Sequence, residues 1–264
     1  MKISLSDVGS IGNAEIDLSK INVVGGVNSS GKSIISKLLY CHLKSSKDDE
    51  SMDYLLDSEG MSCFKDSDIV FTGRIKASEV FYFDSISVLD LRDLDILRMD
   101  HITHIKEALE NENYVNDDSF IMDILDDDCR NLSSAGIKQI AIIDILVKND
   151  SLKRDSFLII DEPESNLHPD WQIRFAEILV MLVKKMNITI YLNSHSPMFI
   201  EAISLYAQYF GLLKKTSFYL TRKASGDNYD FKKISAKNMG EVYENLTRPY
   251  DELDRLKAEI LFRK

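Results

Sequence analysis

The spacing of apolar positions changes several times along the chain, and each change marks an element. Residues 1–18 alternate apolar and polar in two short runs, Ile3/Leu5 and Ala14/Ile16/Leu18, on either side of a turn at residues 9–13. This predicts a β-hairpin leading into a strand at residues 21–24, apolar at Ile21, Val23 and Val24. A helix is predicted from there to about residue 42. Residues 44–68 turn polar and acidic and read as a mobile loop holding a short helix. Residues 69–83 carry two strand patterns. Between residues 89 and 111 the apolar positions Leu91, Leu94, Leu97, Ile102, Ile105 and Leu109 recur at helical spacing, and a second short helix is expected at 120–125. The acidic run Asp126, Asp127 and Asp128 that follows reads as a solvated loop rather than a metal site.

From residue 132 small and polar residues give way to an apolar helix, then to a buried-type strand at 157–160. An amphipathic helix follows over 167–186, and a strand over 188–197 ends in polar residues. Residues 214–222 and 228–234 read as a closing hairpin across Gly226, Asp227 and Asn228. The last stretch, from residue 238, predicts one or two helices with Val242, Leu246, Leu253, Leu256 and Ile260 on one side. Strands alternating with helices predict an α/β sheet with its functional site at the strand ends. The reading is one domain, residues 1–264, with a helical or variable insertion at about 44–131 and a C-terminal hairpin and helices at about 215–264.

One junction carries chemistry. Gly26, Val27, Asn28, Ser29, Ser30, Gly31, Lys32 and Ser33 have the spacing G-x-x-x-x-G-K-S between predicted strand and predicted helix. A polyphosphate can be enclosed by backbone N–H groups only if the chain curls tightly around it. Gly26 and Gly31 permit that approach, and the helix start adds free N–H groups and the positive end of its dipole. Lys32 would reach the β- and γ-phosphates, and the Ser33 hydroxyl would ligate Mg2+. A Gly/Ser turn that merely precedes a helix is the plain alternative; strand, spacing and helix together favour the phosphate loop. The apolar strand 157–160 delivers Asp161 and Glu162 to its tip. An acidic pair after a strand is often only a turn. With a phosphate loop upstream, Asp161 would hold Mg2+ through water, and Glu162 would address the water attacking the γ-phosphate.

Composition narrows the partners. Acids outnumber bases 43 to 32, for a net charge of −11, which speaks against free-standing, non-specific binding of nucleic acid. The basic residues nearest to a patch are Lys214, Lys215, Arg222, Lys223, Lys232 and Lys233, all near the late hairpin. Cys41, Cys63 and Cys129 are scattered and odd in number, so they form no disulfide framework, and a reducing compartment is expected. The N-terminus has no long apolar segment, and no stretch reaches the roughly 18 apolar residues of a membrane span. The expectation is a cytoplasmic protein without a membrane partner.

GGVNSSGKS at 25–33, SSAGIKQ at 133–139, FLIIDEPESNLHP at 157–169 and NSHSP at 193–197 stand in a recognisable order. Over roughly residues 1–205 the chain resembles the ABC-type ATPases of the SMC/RecF/OLD-like group, AAA-like ATPases of prokaryotic defence or DNA-maintenance systems. The resemblance implies a P-loop NTPase of α/β class, an ABC-ATPase-like head with an N-terminal β-hairpin subdomain and an inserted helical lobe. It implies ATP and Mg2+ as ligands, with Glu162, His195 and Lys32 as catalytic residues. His195 matches the switch histidine that senses the γ-phosphate. Ser134, Ala135 and Gly136 match the signature that contacts ATP held by a second subunit, so a homodimer forms on ATP binding. Ser165, Asn166 and Leu167 match the loop that crosses the dimer interface. Ser133, Ala135 and Ile137 depart from the usual signature, and the glutamine loop is missing, with Asp84 or Ser85 in its place. The chain lacks a long coiled coil and a nuclease constellation. Effector activity would therefore belong to a separate partner, a nuclease or similar, through which nucleic acid would be reached. The alternatives are a regulatory nucleotide-binding module with little hydrolysis and a transporter's ATPase subunit.

Overall fold

A computed structural model describes residues 1–84, 99–111, 121, 135–236 and 238–262. In chain order the strands are β1 (Lys2–Val8), β2 (Ile11–Asp17), β3 (Ile21–Gly25), β4 (Ile69–Thr72), β5 (Val80–Phe83), β6 (Phe157–Asp161), β7 (Thr189–Ser194), β8 (Thr216–Lys223) and β9 (Tyr229–Ile234). The helices are α1 (Lys32–Asp48), α2 (Met52–Ser58), α3 (Asp100–Leu109), α4 (Ala135–Lys148), α5 (Pro169–Met186), α6 (Pro197–Tyr209), α7 (Gly240–Leu246) and α8 (Arg248–Phe262). All nine strands join one curled sheet in the order β4-β1-β2-β9-β8-β3-β7-β6-β5. Strands β8, β3, β7, β6 and β5 run parallel to one another. The N-terminal hairpin β1–β2 and edge strand β4 form an antiparallel arm, and β9 bridges arm and core, antiparallel to β8 and parallel to β2.

A parallel sheet buried on both faces favours near-continuous apolar runs, and β3, β6 and β7 are buried along their whole length, mostly with apolar residues. In β6, Leu158 and Ile160 enter one packing layer while Phe157 and Ile159 enter the other. The first layer is filled from α4, α5 and α6 by Ile143, Leu179, Phe199 and Ile203. The second is filled by Ile35, Leu38 and Leu39 of α1, with Ile3, Leu5 and Ile16 from the arm curling over. Each such buried side chain contributes about 1.5–3 kcal/mol relative to exposure. Because the loops are short and the layers tight, the C-terminal tips of β3, β6 and β7 are held side by side, with Gly25 opposite Ser194 and Asp161 opposite Asn193.

Several predicted boundaries move. Helix α1 does not stop near residue 42 but runs to Asp48, since Leu43 and Lys44 are also buried and Lys44 pairs with Asp48 at 3.0 Å. Asp49, at φ 58°, ends it in the left-handed region, so the segment read as a loop from residue 44 begins as helix. The two strands of residues 69–83 are present but lie on opposite edges: β4 pairs with β1, β5 with β6. The stretch read as an inserted lobe at about 44–131 therefore supplies both edges of the main sheet. Within the predicted helix 89–111, Asp100–Leu109 is helical and buries His101, Ile102 and Ile105. Residues 89–98 and, apart from Ile121, the predicted helix 120–125 and the acidic run lie outside the described residues. The C-terminal stripe divides: Val242 is buried and Leu246 packs on the core, whereas Leu253, Leu256 and Ile260 are about half exposed.

Candidate functional site

The loop after β3 is shaped by contacts that exclude side chains. A Cβ on Gly26 would meet the Thr221 side chain at 2.0 Å, because β8 runs directly beneath. Gly31 sits at φ 90°, where a Cβ would strike Ile11 at 2.5 Å. Ser30 is buried and donates to the Val27 carbonyl at 2.8 Å, while Val27, Asn28, Ser29 and Ser33 are exposed at the loop's open side. Helix α1 opens at Lys32 with no side-chain cap, so its first-turn N–H groups face the loop without a side-chain acceptor. The Lys32 amino group folds back onto the carbonyls of Gly26 (2.9 Å) and Val27 (2.6 Å). Burial lowers its proton affinity, and the carboxylates of Glu162, Asp161 and Glu164 oppose that effect.

Those acids arrive from the tip of β6. Asp161 is almost fully enclosed. Its Oδ1 accepts from Ser36 Oγ (2.6 Å) and Asn193 Nδ2 (2.5 Å), and its Oδ2 from the Tyr82 hydroxyl (2.9 Å). Ser33 adds a further hydroxyl donor. Burial raises its affinity for a proton, and these donors work against the rise. Glu162 differs in every respect: its side chain is one-third exposed and its backbone is held at φ 52°. Its N–H donates to the Asn193 carbonyl at 2.9 Å, and Ser165 Oγ donates to Oε2 at 3.1 Å. The His195 ring beside it holds the carboxyl below its ordinary value.

Backbone strain singles out this corner. Eight described non-glycine residues have positive φ, and six of them are Asp or Asn, which tolerate it. The other two are Ser29 in the phosphate loop and Glu162. A left-handed Ser or Glu costs of order 1 kcal/mol and persists only where the surroundings over-determine it.

The third tip, β7, carries Asn193, Ser194 and His195. The His195 ring lies between two carboxylates, with Nδ1 3.7 Å from Glu162 Oε1 and 3.3 Å from Glu164 Oε1. The carboxylates of Glu162 and Glu164 raise its proton affinity, and burial opposes. The predicted residues Lys32, Ser33, Asp161, Glu162 and His195 are thus brought into one group. Asn166, at φ 62°, is in the loop that follows Glu162. Ser134 lies outside the described residues; Ala135 and Gly136 form the first turn of α4, and the group is built without them. Asp84, one of the two residues in the place of the glutamine loop, is buried and lies 3.4 Å from the His101 ring, and Ser85 lies outside the described residues.

Sequence reasoning assigned no role to Ser36, Tyr82, Asn193 or Glu164, all of which hold the group together. Ser36 was recoverable, being one helical turn beyond Ser33. Asn193 depends on the β6–β7 register, which no local pattern reveals.

A family profile described as "AAA domain, putative AbiEii toxin, Type IV TA system" matches residues 90–201. No curated protein matches the sequence. Among solved structures, the chain is similar to the SMC head domain from Thermotoga maritima, with 15% identity over 89% of this chain and 98% of that one and a TM-score of 0.52. An SMC head bound to the C-winged helix domain of ScpA gives 11% identity over 91% and 98% with a TM-score of 0.49. A bacterial ABC transporter cassette solved as a dimer gives 12% over 83% and 93% with a TM-score of 0.42. The likeness to the Thermotoga maritima SMC head shows that the chain has the fold of such a head. Among the described residues no helix is long and apolar enough to cross a membrane.

Proposed function

We propose that the chain binds and hydrolyses ATP and acts as an ATP-gated dimeric switch, in phage defence or DNA maintenance, alongside a separate effector. The observation that carries this reading is the meeting of Lys32, Asp161, Glu162 and His195 at three adjacent strand tips, with Ser29 and Glu162 both in strained backbone. The site fits a polyphosphate: the cradle has no room for a side chain at Gly26 or Gly31, and a buried ammonium has only loop carbonyls as direct partners. The Ser33 hydroxyl and Asp161 carboxylate are the hard oxygen donors that Mg2+ prefers. When bound, Mg2+ would neutralise charge on the phosphate oxygens.

The chain's own residues then have distinct tasks. Lys32 exchanges its loop carbonyls for phosphate oxygens. Ionised Glu162, partly open to solvent, accepts a proton from the attacking water. His195, kept proton-rich by two carboxylates, donates to the γ-phosphate. Ser134, Ala135 and Gly136 of a second copy close the site across a homodimer interface, with the chain acting as one domain over residues 1–264. Turnover is slow, given the altered signature and the absent glutamine. A regulatory module with little hydrolysis is favoured by one observation: both Asp161 oxygens already accept protein hydrogen bonds, which a metal shell must share.

The test is Mg2+-dependent phosphate release together with light scattering. Release should vanish in Glu162→Gln, and ATP should convert that variant to dimers, which adding Ser134→Arg should prevent. Equal mass for all variants with and without ATP would sink the switch. Binding without measurable release would select the regulatory reading. Saturable binding of a naked duplex near physiological salt would move the effector role onto this chain.

A further inference from the structure

We propose that Glu164 is the positioning residue for His195, holding Nδ1–H toward itself so that Nε2–H is turned to the transferred phosphate. The proposal rests on the ATPase reading above. Glu164 is nearly fully buried, and its Oε1 gathers three donors: the N–H of His195 at 2.7 Å, the N–H of Ser196 at 3.1 Å and Ser194 Oγ at 2.8 Å. The same oxygen lies 3.3 Å from His195 Nδ1. Glu164 therefore meets the histidine twice, by a hydrogen bond from its backbone N–H and by an ion-pair contact with its ring.

The grip spans three elements. Glu164 follows β6, the residues it holds end β7, and Ser196 caps α6 by accepting from the Phe199 N–H at 3.2 Å. Ser196 Oγ in turn donates to Gln172 of α5 at 3.0 Å. A glutamine would keep an acceptor oxygen at the place of Oε1, with weaker hydrogen bonds than a carboxylate makes and with its NH2 at the place of Oε2. Glu164 Oε2 is buried with no hydrogen-bond partner among the described residues. Burying that oxygen costs free energy, and the donors on Oε1 offset part of the cost of burying the charge. What the charge adds is its field on the His195 ring. The charged groups facing that ring are Glu162 and Glu164, which favour the imidazolium, and Lys32, which opposes it. Nδ1 faces the two carboxylates, so Nε2 is the nitrogen left for a ligand, and with the proton of the neutral ring on Nδ1 it is a donor only in the imidazolium.

Glu164→Gln separates the two roles by keeping an acceptor oxygen in the latch and removing the charge. In the nucleotide-free protein, the NMR titration of the His195 imidazole should move down by about one pH unit. Steady-state kcat should fall about tenfold with KM for MgATP nearly unchanged, and the alkaline limb of the kcat profile should shift acidward by the same interval. Glu164→Asp, which keeps the charge but shortens its reach, should fall between the two, and it carries the same readouts if Glu164→Gln does not fold. An unmoved imidazole titration would overturn the proposal. So would a shifted titration with an unmoved kcat profile. A wild-type chain that does not hydrolyse ATP fails the underlying reading instead, and is recognisable because the titration shift needs no nucleotide.

Discussion

The molecule contains two histidines set between pairs of carboxylates, and they differ in access to water. His101 of α3 is fully buried. Its Nδ1 lies 2.7 Å from Glu59 Oε2 and its Nε2 3.4 Å from Asp84 Oδ2, while its N–H donates to Glu59 Oε1 at 3.0 Å. The Tyr82 and Tyr40 rings pack against the imidazole at 4.6 and 6.1 Å between centroids. His195 has looser carboxylate contacts, at 3.3 and 3.7 Å, and its side chain is 43% exposed. The chemistry is the same; the environment assigns the work. A closed, short-ranged charge knot fixes structure, because any rearrangement strands a buried charge. An open one, flanked by a strained backbone and a phosphate cradle, leaves a nitrogen for a ligand. The two are linked through Tyr82, which touches His101 with its ring and donates to Asp161 with its hydroxyl.

Breaking the closed knot should have the largest effect. His101→Ala removes the cation between Glu59 and Asp84 and should destabilise the fold by about 3–5 kcal/mol, read from urea unfolding. His195→Ala should change stability by less than about 1 kcal/mol, as for an exposed ion pair. Equal losses would erase the distinction.

Turnover should reverse the ranking. His195→Ala should lower the rate of phosphate release by about a hundredfold or more, the usual contribution of a positioned proton donor, with unfolding unchanged. Between these two lies Lys32→Ala. It should weaken ATP binding by about 1.5–3 kcal/mol in calorimetry, the worth of a hydrogen bond to a charged group, and leave the fold intact. An unchanged affinity would remove the phosphate-loop assignment.

How much of this could be seen in the sequence follows from the range of the interactions. The phosphate loop is a contiguous string whose glycines answer local clashes, and the β6 tip is an apolar run ending in two acids. Both are written in adjacent residues, as are the alternating elements that give the α/β class. The helix α1 boundary was missed because Lys44 reads as polar, yet its stem is buried and its ammonium pairs with Asp48. The closed knot draws Glu59 from beyond α2, Asp84 from the end of β5 and His101 from α3. Nothing local marks those three as neighbours; only the placement of β5 at the sheet edge brings them together. Glu164 stood inside a recognised string without a role, since its partners come from the end of β7, the next strand, beyond the whole of α5.

The smallest predicted effect concerns pH and acts on the two knots in opposite ways. The hydrogen bonds and charges of Glu59 and Asp84 outweigh burial and raise His101 to about 9 from its ordinary 6.5. A raised histidine adds stability that is fully present below its unfolded value and is lost as pH rises through its folded value. The window is therefore about 6.5 to 9, on the alkaline side of neutrality. Between pH 7 and pH 9 the fold should lose about 2 kcal/mol from this one group. Urea midpoints across that range should fall in the wild type and stay nearly flat in His101→Gln, which fills the space without titrating. In the open knot, the same rise in pH should reduce turnover while leaving unfolding untouched, because the imidazolium of His195 acts on the ligand and not on the packing. A wild-type midpoint that is level from pH 7 to 9 would mean that His101 is not held as a cation, and the closed knot would then be a neutral hydrogen-bond cluster rather than a charged one.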